Sequence, residues 1–81
     1  MVLSENSNLI KVGAVFSGST IMPRWFIWDG RKYNVASLEY TWEDKHGLEK
    51  VVHFSVSDGT NTYELAYNTV RLNWTLDKVA E

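Results

Sequence analysis

Apolar and polar residues alternate along most of this chain, and two Asp-Gly dipeptides, Asp29-Gly30 and Asp58-Gly59, punctuate the alternation. A period of two marks half-buried strands. Asp-Gly relieves the positive-φ requirement of a tight hairpin turn whose twist matches the strands it joins. The first strand reads from Leu9, with Ile10, Val12, Ala14 and Phe16 on one side and Lys11, Gly13, Val15 and Ser17 on the other. Ser17-Gly18-Ser19-Thr20 is a turn cluster, and a second strand follows from Ile21 to Trp28. Pro23 has no amide donor, which confines it to a strand start, a bulge or an edge.

Centring a turn on Asp29-Gly30 places Trp28 opposite Arg31, Phe26 opposite Tyr33 and Arg24 opposite Val35. Phe26, Trp28, Tyr33 and Val35 then share one side of the sheet, and Trp25, Ile27, Lys32 and Asn34 the other. Beyond Val35 the strong positions are Leu38, Tyr40 and Trp42. That change of parity predicts a bulge near Ala36-Ser37 within one long strand, followed by an exposed loop over Glu43-Asp44-Lys45-His46-Gly47.

The same arithmetic at Asp58-Gly59 sets Phe54 against Tyr63, Val52 against Leu65, Val56 against Asn61 and His53 against Glu64. Turning again near Asn68-Thr69 sets Leu65 against Leu72 and Tyr63 against Trp74. Val52, Phe54, Val56, Tyr63, Leu65, Leu72, Trp74 and Leu76 thereby form one apolar face over three strands. Helical periodicity is confined to a short turn at Asp77-Lys78-Val79-Ala80. The expected fold is all-β: a small antiparallel meander of about six strands, curled into an SH3-like barrel or a strongly bent sheet. Residues 1–8 read as a frayed N-terminus and 9–81 as a single small domain.

Composition sharpens this picture. At 81 residues with no cysteine, the chain has neither disulfides nor thiolate metal sites to staple a marginal core. Four Trp, four Tyr and three Phe compensate, since each buried aromatic removes roughly 150–250 Å² from water. The net charge of −2 argues against a duplex-DNA binder that relies on phosphate contacts. Neither a signal peptide nor a membrane span is read in the chain, so a cytoplasmic protein is expected.

Catalytic constellations are sparse. His46 falls in a charged loop and reads as solvated, and His53 reads as a cross-strand partner of Glu64. Glu39, Glu43, Asp44 and Glu49 lack the alternating oxygen ligands of a calcium loop. Ser17-Gly18-Ser19-Thr20 lacks the lysine and helix of a phosphate cradle. No nucleophile elbow supports a serine hydrolase. The expectation is a non-enzymatic domain with no metal and no cofactor. Its candidate binding surface is the outward aromatic side of the first Asp-Gly hairpin: Arg24, Trp25, Ile27 and Lys32, with Val15 adjoining. Such a surface suits a protein partner or a second copy of the chain, because Trp is enriched at interface hot spots. It also suits base stacking by a nucleic-acid single strand, which the acidic balance ranks behind protein.

The run Pro23-x-x-Phe26-x-Trp28-x-Gly30-x-x-Tyr33-x-Val35, with Trp42, Phe54-x-Val56, Tyr63-x-Leu65 and Trp74-x-Leu76, resembles an uncharacterised family of small bacterial all-β domains. Some members are encoded beside genes for translesion DNA polymerases. The resemblance spans residues 21–79. It implies a bacterial cytoplasmic protein with no catalytic residues to carry over, and an accessory role near DNA repair.

Overall fold

Asp29 and Gly30 adopt φ values of 53° and 76°, the left-handed pair that a two-residue hairpin requires. In a computed structural model of the protein, which describes residues 9–80, this turn joins β2 (Thr20–Trp28) to β3 (Arg31–Asn34). Trp28 pairs with Arg31 and Phe26 with Tyr33, and the Val35 amide donates to the Arg24 carbonyl at 2.9 Å. The expected register is therefore observed. The N-terminal residues expected to fray lie outside the described residues.

The remaining strands are β1 (Leu9–Ser17), β4 (Ser37–His46), β5 (Glu49–Ser57), β6 (Thr62–Asn68) and β7 (Asn73–Ala80). All seven form one antiparallel sheet in the order β3-β2-β1-β7-β6-β5-β4. The sheet curls strongly into a half-barrel. It consists of two meanders, β1–β3 and β4–β7, stitched where Leu9 and Ile10 pair with Thr75 and Trp74. Pro23 sits beside a bulge at Arg24, the extra residue between the Gly13–Trp25 and Ala14–Pro23 pairs, which is where an imino acid is tolerated.

Seven strands replace the expected six because the segment read as one long strand is two. Val35 and Ala36 leave the ladder and carry the chain from one sheet edge to the other. The Val35 amide binds β2, while the Ala36 amide donates to the Ser57 carbonyl of β5 at 2.7 Å. The bulge lies further on, at Glu39, between the Leu38–Val56 and Tyr40–Ser55 pairs. Consequently Leu38 packs on the core, whereas Tyr40 and Trp42 turn outward with Ser55 and His53. The expected Leu38-Tyr40-Trp42 face is broken after its first member. β4 also runs on to His46, so most of the expected acidic loop is strand, and only Gly47-Leu48 turn.

The second hairpin keeps its faces and shifts its register by two. Phe54 pairs with Leu65, Val56 with Tyr63 and His53 with Ala66, so Glu64 is not opposite His53. The reason is a four-residue loop over 58–61 in place of a two-residue turn. Asp58 Oδ1 accepts from the amides of Thr60 (2.9 Å) and Asn61 (2.8 Å), and Oδ2 accepts from the Tyr63 hydroxyl (2.9 Å). This Asx-type closure out-competes the shorter turn. At the next corner Asn68 acts likewise, its Oδ1 accepting from the amides of Val70 and Arg71. That pairs Leu65 with Leu76 and Tyr67 with Trp74. Leu72 is accordingly 70 % exposed, at φ 58° in the turn, and not on the apolar face. Residues 77–80 continue β7 as strand: Lys78, Val79 and Ala80 pair with Glu64, Tyr63 and Thr62 of β6, and Asp77 is the extra residue between Leu76 and Lys78.

Seven of the eight residues assigned to the apolar face over β5–β7 are buried, and Phe26 joins them from β2. Phe26 stacks on Tyr33 (centroids 5.0 Å apart) and meets Tyr63 edge-on (5.1 Å), while Phe54 and Tyr67 flank Trp74. Trp28 and Tyr33 are half-buried and complete the interior at its open end.

The Asn61 and Thr60 amides, with help from Tyr63, hold the Asp58 carboxyl below its ordinary value of 3.8. The folded carboxyl titrates below its unfolded counterpart. Its contribution is therefore complete above the unfolded value and fades as pH falls through the folded one. Urea melts should show wild type more stable than Asp58→Ala by a constant margin above about pH 5, narrowing below that. A margin that widens in acid would contradict this assignment.

Candidate functional site

The curled sheet leaves two outward regions of distinct chemistry. On β1–β3, register lines up Val15 with Met22, Gly13 with Trp25 and Ile27 with both Lys11 and Lys32. Val15 and Met22 are exposed, Trp25 and Ile27 half-buried, and Arg24 and Lys32 exposed. The structure thus brings Trp25, Ile27 and Lys32 together on this side, and leaves Arg24, the fourth sequence-predicted residue, exposed at the bulge next to Trp25. Trp25 is not a free-standing ring, however. A Cβ built on Gly13 would fall 2.1 Å from its Cε2, so the indole lies flat across the bare glycine backbone. The Lys32 ammonium stands over the ring, 5.1 Å from its centroid, in cation–π contact.

Charge is segregated along the chain. Residues 9–38 carry Lys11, Arg24, Arg31 and Lys32 against one acid, Asp29, whereas residues 39–80 carry seven acids and four bases. Among the described residues, none of the four N-terminal cations meets a carboxylate within 4 Å; Lys50 and Arg71 do. The net charge of −2 therefore conceals a cationic half and an acidic half.

The second region lies on the outward side of β4–β7 and centres on His53. Trp42 stacks on the imidazole at 5.1 Å with planes 6° apart. Asp44 Oδ2 is 3.1 Å from Nε2, and Asp77 Oδ2 is 3.7 Å from Nδ1. Asp77 is itself a bulge residue, the extra one between the Glu64–Lys78 and Leu65–Leu76 pairs, and bulges re-aim side chains in this way. The Thr75 hydroxyl donates to Asp77 Oδ1 at 3.0 Å, leaving Oδ2 directed at His53. A groove of about 460 Å³ runs beside the cluster, with His46, His53, Asn68, Arg71 and Asp77 along it. At its rim Glu49 accepts from Asn68 Nδ2 (3.0 Å) and Arg71 Nε (3.1 Å), and these bonds, Asn68 first, hold its carboxyl below the ordinary range.

Pattern reading identified both histidines but not their surroundings. The expected register sets Glu64 directly opposite His53; it sits diagonally instead, opposite Ser55, and still brings a carboxylate oxygen within 4.8 Å of a His53 nitrogen. The expected layout puts Trp42, Asp44 and Asp77 elsewhere. No local spacing signals this site, because its members come from four strands, and Trp42, Asp44 and Asp77 arrive through bulges. The fold defines a small all-β half-barrel. The chain matches no protein-family model, no curated protein and no solved structure.

Proposed function

We propose that this domain is a non-enzymatic interaction module that docks an acidic segment of a protein partner on the outward face of β1–β3. The observation that carries the reading is the coincidence of an apolar strip with unpaired positive charge. Val15, Met22, Trp25 and Ile27 supply the strip, and Lys11, Arg24 and Lys32 border it. Apolar anchors supply affinity once desolvated. The cations steer and orient a partner of opposite sign. A nucleic-acid single strand shares the negative charge but needs a bare ring face for stacking, and Trp25 lies between Gly13 and Lys32. Association with a second copy is a further outcome, since the β4–β7 half carries the complementary charge.

Selection from a random peptide library tests this directly. Peptides retained by wild type should combine Asp or Glu with an apolar anchor, and should be lost by the Arg24→Glu/Lys32→Glu variant. Retention of the same peptides by the reversed-charge variant would remove the proposed surface. Salt-sensitive quenching by an oligo-dT strand, without acidic-peptide binding, would replace the protein partner by nucleic acid. Concentration-dependent sedimentation abolished by the same variant would replace it by self-association.

A further inference from the structure

His53 keeps only 9 % of its surface exposed, and neither ring nitrogen makes a well-aligned hydrogen bond among the described residues: Asp44 Oδ2 stands 3.1 Å from Nε2, and the carboxylate oxygen nearest Nδ1, Asp77 Oδ2, is 3.7 Å away. Buried polar nitrogens are nearly always satisfied, so an orphaned pair calls for a physical account. A neutral imidazole offers one N–H and one lone pair. Set between Asp44 and Asp77, it must turn its lone pair towards one carboxylate. That repulsive contact is relieved by a proton or by a metal cation placed between nitrogen and oxygen, and the 3.7 Å from Nδ1 to Asp77 Oδ2 is too long for a shared proton. Glu64 adds a third ligand: one donor atom each from His53, Glu64 and Asp77 lie within 4.8 Å of one another.

We propose that His53 Nδ1, Glu64 and Asp77 form a binding site for a divalent transition-metal ion of the zinc class, distinct from the β1–β3 docking face. With metal–ligand bonds of about 2.0–2.2 Å, neighbouring donors of a tetrahedral site stand about 3.4 Å apart. The observed 3.7 Å between Nδ1 and Asp77 Oδ2 is close to that edge and too long for a hydrogen bond. One imidazole with two carboxylates leaves a fourth position, which the adjoining groove supplies with access to water.

The surroundings match what metal ligands require. A ligating histidine commonly presents its other nitrogen to a carboxylate, and ligating carboxylates are themselves hydrogen-bonded. Asp44 faces Nε2, Thr75 holds Asp77 Oδ1, and Trp42 fixes the ring plane. Each device constrains direction, and all of them leave Nδ1, Glu64 and Asp77 Oδ2 converging.

The test is a calorimetric titration of the chelator-stripped 81-residue chain with Zn²⁺, read alongside thermal unfolding and the imidazole ¹⁵N spectrum, to which its two histidines contribute. The expected result is one ion per chain, a raised melting temperature and a shift of His53 Nδ1. Asp77→Asn and Glu64→Gln should each abolish these signals. Thr75→Val, which frees the ligand carboxylate, should weaken binding about 10–100-fold, and His46→Gln should leave it unchanged. Glu64 and Asp77 lie on different strands, so one variant decides if the other fails to fold. No Zn²⁺-dependent signal in wild type would overturn the site, as would undiminished binding in Asp77→Asn or loss of binding in His46→Gln.

Discussion

Replacing Trp74 by alanine should remove about 3–5 kcal/mol of stability, the range for deleting a large buried aromatic. The size of the effect follows from position as much as from buried area. Trp74 pairs with Ile10 in β1 and with Tyr67 in β6, and its ring packs on Phe54 of β5 at 5.5 Å. It is 8 % exposed. Among the described residues the two meanders meet in the sheet only through Leu9–Thr75 and Ile10–Trp74, so this indole fills the interior at that seam. Stabilities of roughly 0.05–0.15 kcal/mol per residue put the whole chain at about 4–12 kcal/mol. The substitution therefore consumes a large share of the total. Urea unfolding should show a much lower midpoint, while Tyr40→Ala, at a position 70 % exposed, should stay close to wild type. A loss below about 1 kcal/mol for Trp74→Ala would remove the seam from its central place.

The face assignments were legible because parity survives errors of register. The β5–β6 pairing shifts by two residues and the β6–β7 pairing by four, and even shifts leave every side chain on its original side. Phe54, Tyr63, Leu65, Trp74 and Leu76 thus reach the core although their expected partners were wrong. Odd insertions are different. The bulge at Glu39 rotates everything after it, taking Tyr40, Trp42, Asp44 and His46 out of the expected inward series or loop and onto the side of His53. The bulge at Asp77 aims a second carboxylate at the same ring. A bulge is selected by sheet curvature and by the packing of the whole half-barrel, so two-residue periodicity carries no trace of it. The aromatic face on β1–β3 was visible for the opposite reason: the Asp29-Gly30 turn is local and its register has no insertion before Trp25. The packing of Trp25 was not visible, because it depends on a neighbouring strand.

That packing gives the second large effect. Gly13→Ala should cost about 1–3 kcal/mol, the range for overfilling a packed site, although alanine is ordinarily the better strand residue by about 0.5–1 kcal/mol. The added methyl would fall 2.1 Å from Trp25 Cε2 and 2.3 Å from Nε1, closer than nonbonded atoms approach. The indole must therefore lift off β1, losing its backing and its place under Lys32. In a Trp25→Ala background the obstacle is gone, and the same change should become neutral or mildly stabilising. A double-mutant cycle of denaturant melts should yield a coupling of about 1–3 kcal/mol between positions 13 and 25, within the range for residues in contact. Additive costs would mean that the ring does not rest on the glycine. The cycle also bears on docking: in Gly13→Ala the displaced indole enlarges the exposed apolar strip beside Arg24 and Lys32. Capture of acidic peptides should then respond to position 13, a residue that itself offers no side chain to a partner.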